Sequence, residues 1–173
     1  MIKDLYLELS GKLSEIEQVK WIDLWTNQVN FLDTELPFPA PAIFLAFRSE
    51  SMSELSNLQQ DVDMSVAVYV YYETFADSFH ESFNQSTALE FSDMLIEVHT
   101  KIHGSTGTSY SNMNRISLQP IDVIGAGILY QMIFTCNTID KTASPECAET
   151  TSDLTILNEA GPYTPPQNIY ILE

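Results

Sequence analysis

The sequence predicts an α+β protein: an antiparallel sheet of four to five strands, two main helices packed on one face, and an extended C-terminal arm. Three observations predict this class: a long alternating strand pattern at residues 63–73, two amphipathic helix patterns, and a change of composition after Lys141. With 173 residues, 45% of them hydrophobic, the chain is long enough for one domain with a core. We therefore expect an α+β domain over residues 1–140 and an arm over residues 141–173.

The predicted strand at residues 63–73 has the plainest pattern in the chain. Its β-branched and aromatic residues suit a pleated, half-buried surface, and period-two alternation separates two faces. The first face holds Met64, Val66, Val68, Val70 and Tyr72. The second face holds Ser65, Ala67, Tyr69 and Tyr71. Because the second face has tyrosines and small residues instead of charges, we expect it to be covered by a helix of the same chain or by a neighbouring subunit.

Residues 2–18 predict an amphipathic helix, with apolar residues at helical spacing and charged residues between them. Its apolar stripe is Ile2, Leu5, Tyr6, Leu9, Leu13 and Ile16. Gly11 lies inside this helix and marks a candidate position for a close contact between helix and sheet. Residues 19–25 alternate and predict a first strand, with Trp21 and Trp25 on one face.

A second strand is predicted at residues 42–47, next to the strand at 63–73 and antiparallel to it. It begins after Pro41, because prolines at every second position from Pro37 cannot join a central ladder. Residues 48–57 are rich in serine and glutamate and predict a loop.

In the second half of the chain, residues 75–86 predict a short helix or an ordered aromatic loop. Thr87 and Glu90 form a capping-box pattern that predicts a helix from residue 87 to Gly104, with an apolar stripe of Leu89, Met94, Leu95, Val98 and Ile102. Strands are predicted at residues 115–122 and 128–139, separated by a turn or bulge at 125–127.

The chain is strongly acidic, with seven basic residues, 24 acidic residues and a formal net charge of -17. Nucleic-acid-binding surfaces need Lys and Arg to neutralise phosphates, so this composition argues against such a surface and against docking on anionic lipid. A passage lined by such a protein would repel DNA. Without a run of about 18 apolar residues or a signal-peptide layout, we expect a cytoplasmic product and no membrane partner.

The three histidines are the candidate metal ligands. His99 and His103 lie four residues apart on the second predicted helix, a spacing that allows two imidazoles to bind one metal ion. The general-base glutamate of a zincin motif is missing, and His80 could supply a third ligand only if the aromatic loop folded back. We favour two ordinary histidines near a helix C-terminus, and thus no metal.

The sequence offers no pattern for catalysis. Cys136 lies in an apolar strand and predicts a core residue, and with Cys147 it is expected to be reduced. Asp61 and Asp63 flank the central strand and predict solvated edge charges instead of an acid/base pair. The glycines at 125–127 lack the third glycine of a phosphate-binding loop and precede a strand. We expect no enzymatic activity and no cofactor.

Phe75, Phe79 and Phe83 recur every four residues and leave two alternatives open. One is core packing under a loop. The other is an exposed anchor for another subunit, because aromatic residues are enriched in interface cores.

The order of these elements resembles the tail terminator and neck proteins of tailed bacteriophages over roughly residues 1–140. The segments that carry the resemblance are 19–24, 39–47, 62–73, 88–103 and 122–140, the last with a Gly-Ile-Leu-Tyr-Gln-Met core. The resemblance implies a small protein with an antiparallel sheet and helices mainly on one face, assembling as a ring. In that family the ring closes the tail tube or joins it to the head, and DNA passes through the lumen.

The resemblance therefore implies a virion structural protein, made in the bacterial cytoplasm, that forms a homo-oligomeric, hexameric ring between tail-tube and connector proteins. The arm is not part of the pattern, and residues 168–172 could add as a strand to a neighbouring subunit. The candidate interface residues are Tyr69, Tyr71, Phe75, Phe79, Phe83, Ile169 and Ile171. Two alternatives remain: a metal-binding α/β enzyme or ligand-binding domain that uses the histidines, and a tube or baseplate component of a contractile injection apparatus.

Overall fold

The computed structural model describes residues 1–30, 38–74, 76–123 and 127–144, which form an α+β fold. Its five-stranded sheet has the order β1-β2-β3-β5-β4. The strands are β1 (Trp21–Leu24), β2 (Ala42–Glu54), β3 (Gln60–Glu73), β4 (Asn114–Ile121) and β5 (Gly127–Asp140). The helices are α1 (Ile2–Leu13), the one-turn α2 (Gln85–Ala88) and α3 (Glu90–Ile102). The α+β class is confirmed, whereas the predicted arm lies almost wholly outside the described residues.

The sheet is mixed, so the prediction of a wholly antiparallel sheet is wrong. β1 pairs with β2 in parallel, from Trp21 opposite Ala42 to Leu24 opposite Leu45, and the other strand pairs are antiparallel. A parallel pair needs a crossover of about a dozen residues or more to bring the chain back to its starting end. Residues 25–41 provide that length.

β3 is the central strand, as its pattern predicted. It pairs along its length with β5, from Gln60 opposite Asp140 to Glu73 opposite Gly127, and on its other side with β2. Its valines and Met64 are buried on the face that the helices cover, and Tyr69 and Tyr71 belong to the opposite face. The period-two prediction for this strand is confirmed.

β2 continues through residues 48–54, where the sequence predicted a loop. Arg48 pairs with Ser65 and Glu54 with Gln60, and the register shifts between Ser49 and Ser51. These side chains are exposed, so the backbone ladder with β3 forms here without apolar burial. A serine- and glutamate-rich composition indicates exposure, but it does not exclude strand pairing.

Both main helices pack on the same face of the sheet, as predicted. Leu5, Leu9 and Leu13 of α1 share one buried cluster with residues of α3 and with the valines of β3. The α3 contribution to this helix-side cluster is Met94, Leu95, Val98 and Ile102. Outside the cluster, Lys101 Nζ lies 2.6 Å from Glu15 Oε2 and joins α3 to the turn that follows α1 at the surface.

α1 is shorter than predicted, and its contact with the rest of the protein is not at the glycine where a close contact was expected. It ends at Leu13 instead of residue 18, and Ile2 is exposed. A Cβ added at Gly11 would meet nothing within 4 Å, so the expected close contact at this glycine is wrong. Glu8 of α1 instead contacts the loop before β4, where its carboxylate accepts hydrogen bonds from the backbone N–H of Thr108 and Ser109, both at 2.9 Å.

α3 begins at Glu90, so its N-cap lies two residues later than the capping-box pattern predicted. Thr87 belongs to the one-turn α2, and the N-cap of α3 is Leu89, which is exposed and makes no side-chain cap. Because α2 takes up residues 85–88, Thr87 is not at a helix start. The end is as predicted: α3 stops at Ile102, and Gly104 has a left-handed φ of 74°.

Candidate assembly surfaces

The tyrosine-bearing face of β3 is covered by the same chain. Trp25 stacks on Tyr69 with ring centroids 4.0 Å apart and planes 10° apart. Phe38 meets Tyr71 edge-on at 5.6 Å, and Tyr71 is only 4% exposed. The same-chain alternative therefore holds for Tyr71, but its cover comes from the connection between β1 and β2 and not from a helix.

This second cluster is built around two buried rings. Phe44 is fully buried between Trp25 and Phe38, with ring centroids 5.9 Å and 5.0 Å away. Tyr71 lies against Gly127, where any Cβ would overlap the tyrosine ring. We call this set the tyrosine-side cluster; its buried members are Val29, Ala42, Phe44, Tyr71 and Leu129.

Beyond this cluster the second face is half-buried, with small and polar side chains. Ala67 lies opposite Ile133, and both are partly exposed. Tyr69 Oη accepts a hydrogen bond of 2.7 Å from Gln131 Nε2, and Gln119 Nε2 donates to Gln131 Oε1 at 2.8 Å. Tyr69 therefore lies at the border between the covered part of the face and this open part, and its role in a subunit interface stays a prediction.

The aromatic loop exposes its rings. Phe79 is 65% exposed and Phe83 is fully exposed, while Phe75 lies outside the described residues. Hydrogen bonds within the loop hold its backbone, among them Asp77 N–H to Asn84 Oδ1 at 3.3 Å. The core-packing alternative is wrong for Phe79 and Phe83, and their role as subunit anchors stays a prediction.

A groove of about 480 Å³ lies between α3 and the edge strand β4. Phe91 and Tyr130 stack along it with centroids 5.6 Å apart. Ile96 and Leu118 border it and are 62% and 45% exposed. The sequence patterns did not predict this groove, although the position of Ile96 outside the apolar stripe of α3 was a signal for it.

The histidines of α3 lie together at the same groove. The rings of His99 and His103 meet edge-on, with centroids 4.7 Å apart. His103 Nδ1 accepts a hydrogen bond of 3.1 Å from the Arg115 backbone N–H, and His99 Nδ1 is buried with no partner in the described part of the chain. Within the described ranges, no three His, Cys, Asp or Glu side chains lie close enough to hold a metal ion, so His80 does not join this pair.

The pKa of His99 is lowered, chiefly by burial and secondarily by the positive charge of Arg115. The unfolded chain therefore binds a proton more readily than the folded protein as the pH falls through 6.5, the ordinary value for histidine. We expect the free energy of unfolding to decrease over about pH 7.5 to 5.5, and His99→Gln to reduce that slope. Urea unfolding at a series of pH values measures this dependence of the free energy of unfolding on pH.

The matched control is His80→Gln, which changes an exposed histidine in the aromatic loop. It should leave the pH slope as it is in the unsubstituted protein. Equal slopes in the His99→Gln protein and the unsubstituted protein would contradict the role of His99.

Cys136 and the strand-end carboxylates have structural roles. Cys136 is a free thiol in the helix-side cluster, and burial raises its pKa to about 11, which leaves it protonated and unreactive. Asn137 Nδ2 donates to Asp61 Oδ1 at 2.5 Å and to Asp63 Oδ1 at 3.5 Å. Hydrogen bonds from Ser51 and Asn137 lower the pKa of Asp63, which is exposed as predicted for a solvated charge. Asp61 and Asp63 lie within β3 instead of flanking it, and Asp61 is half-buried. The prediction of a core cysteine is confirmed. Cys147 lies outside the described residues.

The chain has no match among protein-family models or among curated proteins. None of the described helices is long and apolar enough to span a membrane. The resemblance to phage tail terminator and neck proteins therefore stays a prediction.

Proposed function

We propose that this protein is a virion structural component of a tailed bacteriophage, a tail terminator or neck protein that forms a ring. The observation that carries the proposal is apolar surface outside the two packed clusters, above all the rings of Phe79 and Phe83. Exposed apolar patches on soluble proteins mark interaction sites, and aromatic residues are typical of interface cores. A protein whose conspicuous surface features are aromatic side chains suits assembly better than catalysis.

The charge of the chain supports the same proposal. A formal charge of -17 on each copy gives a ring whose lumen repels the phosphate backbone. DNA would then pass without being held. The ring would close the tail tube or connect it to the head, with tube and connector proteins as its neighbours.

The geometry of a ring requires heterologous contacts, in which one surface of each copy meets a different surface of the next. The aromatic loop and the open part of the second face lie on different elements and offer two such surfaces. We propose a hexameric ring, produced in the bacterial cytoplasm and incorporated into the virion.

Replacing both exposed rings, as Phe79→Ser with Phe83→Ser, should impair ring formation and leave the fold intact. Because both side chains are exposed, the free energy of unfolding should change by no more than about 0.5 kcal/mol. Light scattering and negative-stain microscopy measure assembly, and urea unfolding measures stability. Leu7→Ser is the matched control, because Leu7 is a 55% exposed apolar residue on α1.

The outcomes separate the ring from its contacts. Unsubstituted protein that stays monomeric at high concentration, together with assembled tails that lack it, would contradict the ring. Rings formed equally well by the double variant and the Leu7→Ser protein would show that the aromatic loop is not an anchor.

A further inference from the structure

We propose that β4 and the groove beside α3 accept residues 168–172 of a neighbouring copy, which add to the sheet as a strand antiparallel to β4. This inference rests on the proposed ring, since it needs a second copy alongside. It names a specific contact between copies: the acceptor is the edge of the described sheet, and the donor is the Asn-Ile-Tyr-Ile-Leu segment near the C-terminus.

The acceptor edge is open in the described structure. β4 pairs with β5 on one side and ends the sheet on the other. An edge strand presents unpaired backbone N–H and C=O groups to any extended segment that reaches it. Pro120 has no N–H, so the stretch that can pair centres on residues 116–119. Four residues with exposed or half-buried side chains suit a donor of five residues.

The groove beside this edge fits apolar side chains. Phe91, Leu95 and Tyr130 line it, and the exposed Ile96 and Leu118 border it. In strand addition, backbone pairing supplies affinity and pockets take every second side chain of the added strand. Period two places two isoleucines of the donor on one side, at positions 169 and 171. These isoleucines match the apolar lining residues of the groove in polarity.

Charge sets the direction of the added strand. Arg115 lines the groove and has no carboxylate partner within the described ranges. After Lys141 the chain contains acidic residues and no basic one, and in an added strand Glu173 would share the side of Ile169 and Ile171 by period two. An antiparallel strand places Glu173 near Arg115 when Ile171 lies beside Leu118. A parallel strand would move Glu173 away from the guanidinium.

The length of the connection favours a neighbouring copy over the same chain. β5, from which the arm departs, lies directly beside β4, so the outer edge of β4 is about 10 Å away. Residues 145–167 can span roughly 75 Å when extended. Connections between nearby strands are usually far shorter than this. A connector of this reach suits a contact across a subunit boundary.

The test uses two full-length proteins, both with Cys147→Ser to remove the arm thiol. One carries Leu118→Cys in the groove, and the other carries Ile171→Cys in the arm and a size tag. The two are produced together, assembled and mildly oxidised. Neighbours in a ring hold the two thiols at an effective concentration of about 1 mM, so the disulfide-linked pair should exceed the control by at least about tenfold. The control replaces Leu118→Cys by Leu7→Cys on α1.

The outcomes decide the inference. A linked pair of different copies, absent from the Leu7→Cys control, supports it. In a third protein that carries both Leu118→Cys and Ile171→Cys, a link within single chains, without one between copies, would overturn it in favour of a same-chain contact. Intact rings without any link would overturn the acceptor site and leave the ring standing. The absence of rings by light scattering would overturn the proposed function and this contact together.

Discussion

Tyr71→Asp is expected to destabilise the domain by about 4 kcal/mol or more, which is enough to unfold a marginally stable protein. Tyr71 is 4% exposed, meets Phe38 edge-on and lies against Gly127. Aspartate would remove the buried ring and place a carboxylate in an apolar cluster. Burial already raises the pKa of the Tyr71 hydroxyl, with the nearby charge of Glu73 as a second cause, so this site disfavours negative charge.

Urea unfolding and circular dichroism measure the Tyr71→Asp effect. Tyr71→Phe is the control, because it keeps the ring, and it should stay within about 1 kcal/mol of the unsubstituted protein. A Tyr71→Asp protein as stable as the control would show that the face tolerates charge. Because Tyr71 is covered within one chain, loss of ring assembly in this variant would report on folding. Tyr69, half-buried at the border of the cluster, is the better tyrosine for testing an interface.

The alternating strands were predictable because side-chain period identifies a half-buried sheet directly. β3 and β5 have the faces that the sequence predicted, with Met132 and Phe134 in the helix-side cluster and Leu129 opposite. The parallel β1 was not predictable in this way. Four residues fix neither the neighbour nor the direction of a strand; the pairing depends on the path of the connection between β1 and β2.

The polar half of β2 shows a second limit of sequence patterns. Residues 48–54 extend the ladder with β3 through backbone hydrogen bonds, and neither hydrophobicity nor alternation records those bonds. The prediction of where α3 starts was wrong for a related reason. Thr87 and Glu90 have capping-box spacing, but the intervening one-turn α2 gives Thr87 a different place.

The assembly surfaces were predictable only in part. The spacing of Phe79 and Phe83 marked them as candidate interface residues, but an aromatic repeat is equally compatible with core packing. Their exposure decides between the alternatives. The groove depends on which strand ends the sheet beside α3. The strand order decides this: β4 precedes β5 in sequence, yet β5 pairs with β3 and β4 is the edge strand.

Phe44→Ala is expected to cost about 3–5 kcal/mol, because it leaves a cavity in the tyrosine-side cluster. Phe44 is fully buried and touches Trp25 and Phe38, which cover Tyr69 and Tyr71. The substitution should therefore loosen the cover before it disturbs the helix-side cluster. Urea unfolding gives the loss in stability, and tryptophan fluorescence reports on the stacking of Trp25 against Tyr69.

The control for Phe44→Ala is Phe83→Ala, which removes the same atoms from an exposed position and should change stability by no more than about 0.5 kcal/mol. The two variants should affect different properties. Phe83→Ala should weaken ring formation without lowering the stability of the fold, and Phe44→Ala should lower the stability of the fold first. If Phe44→Ala cost less than about 1 kcal/mol, the cover would contribute little to folding.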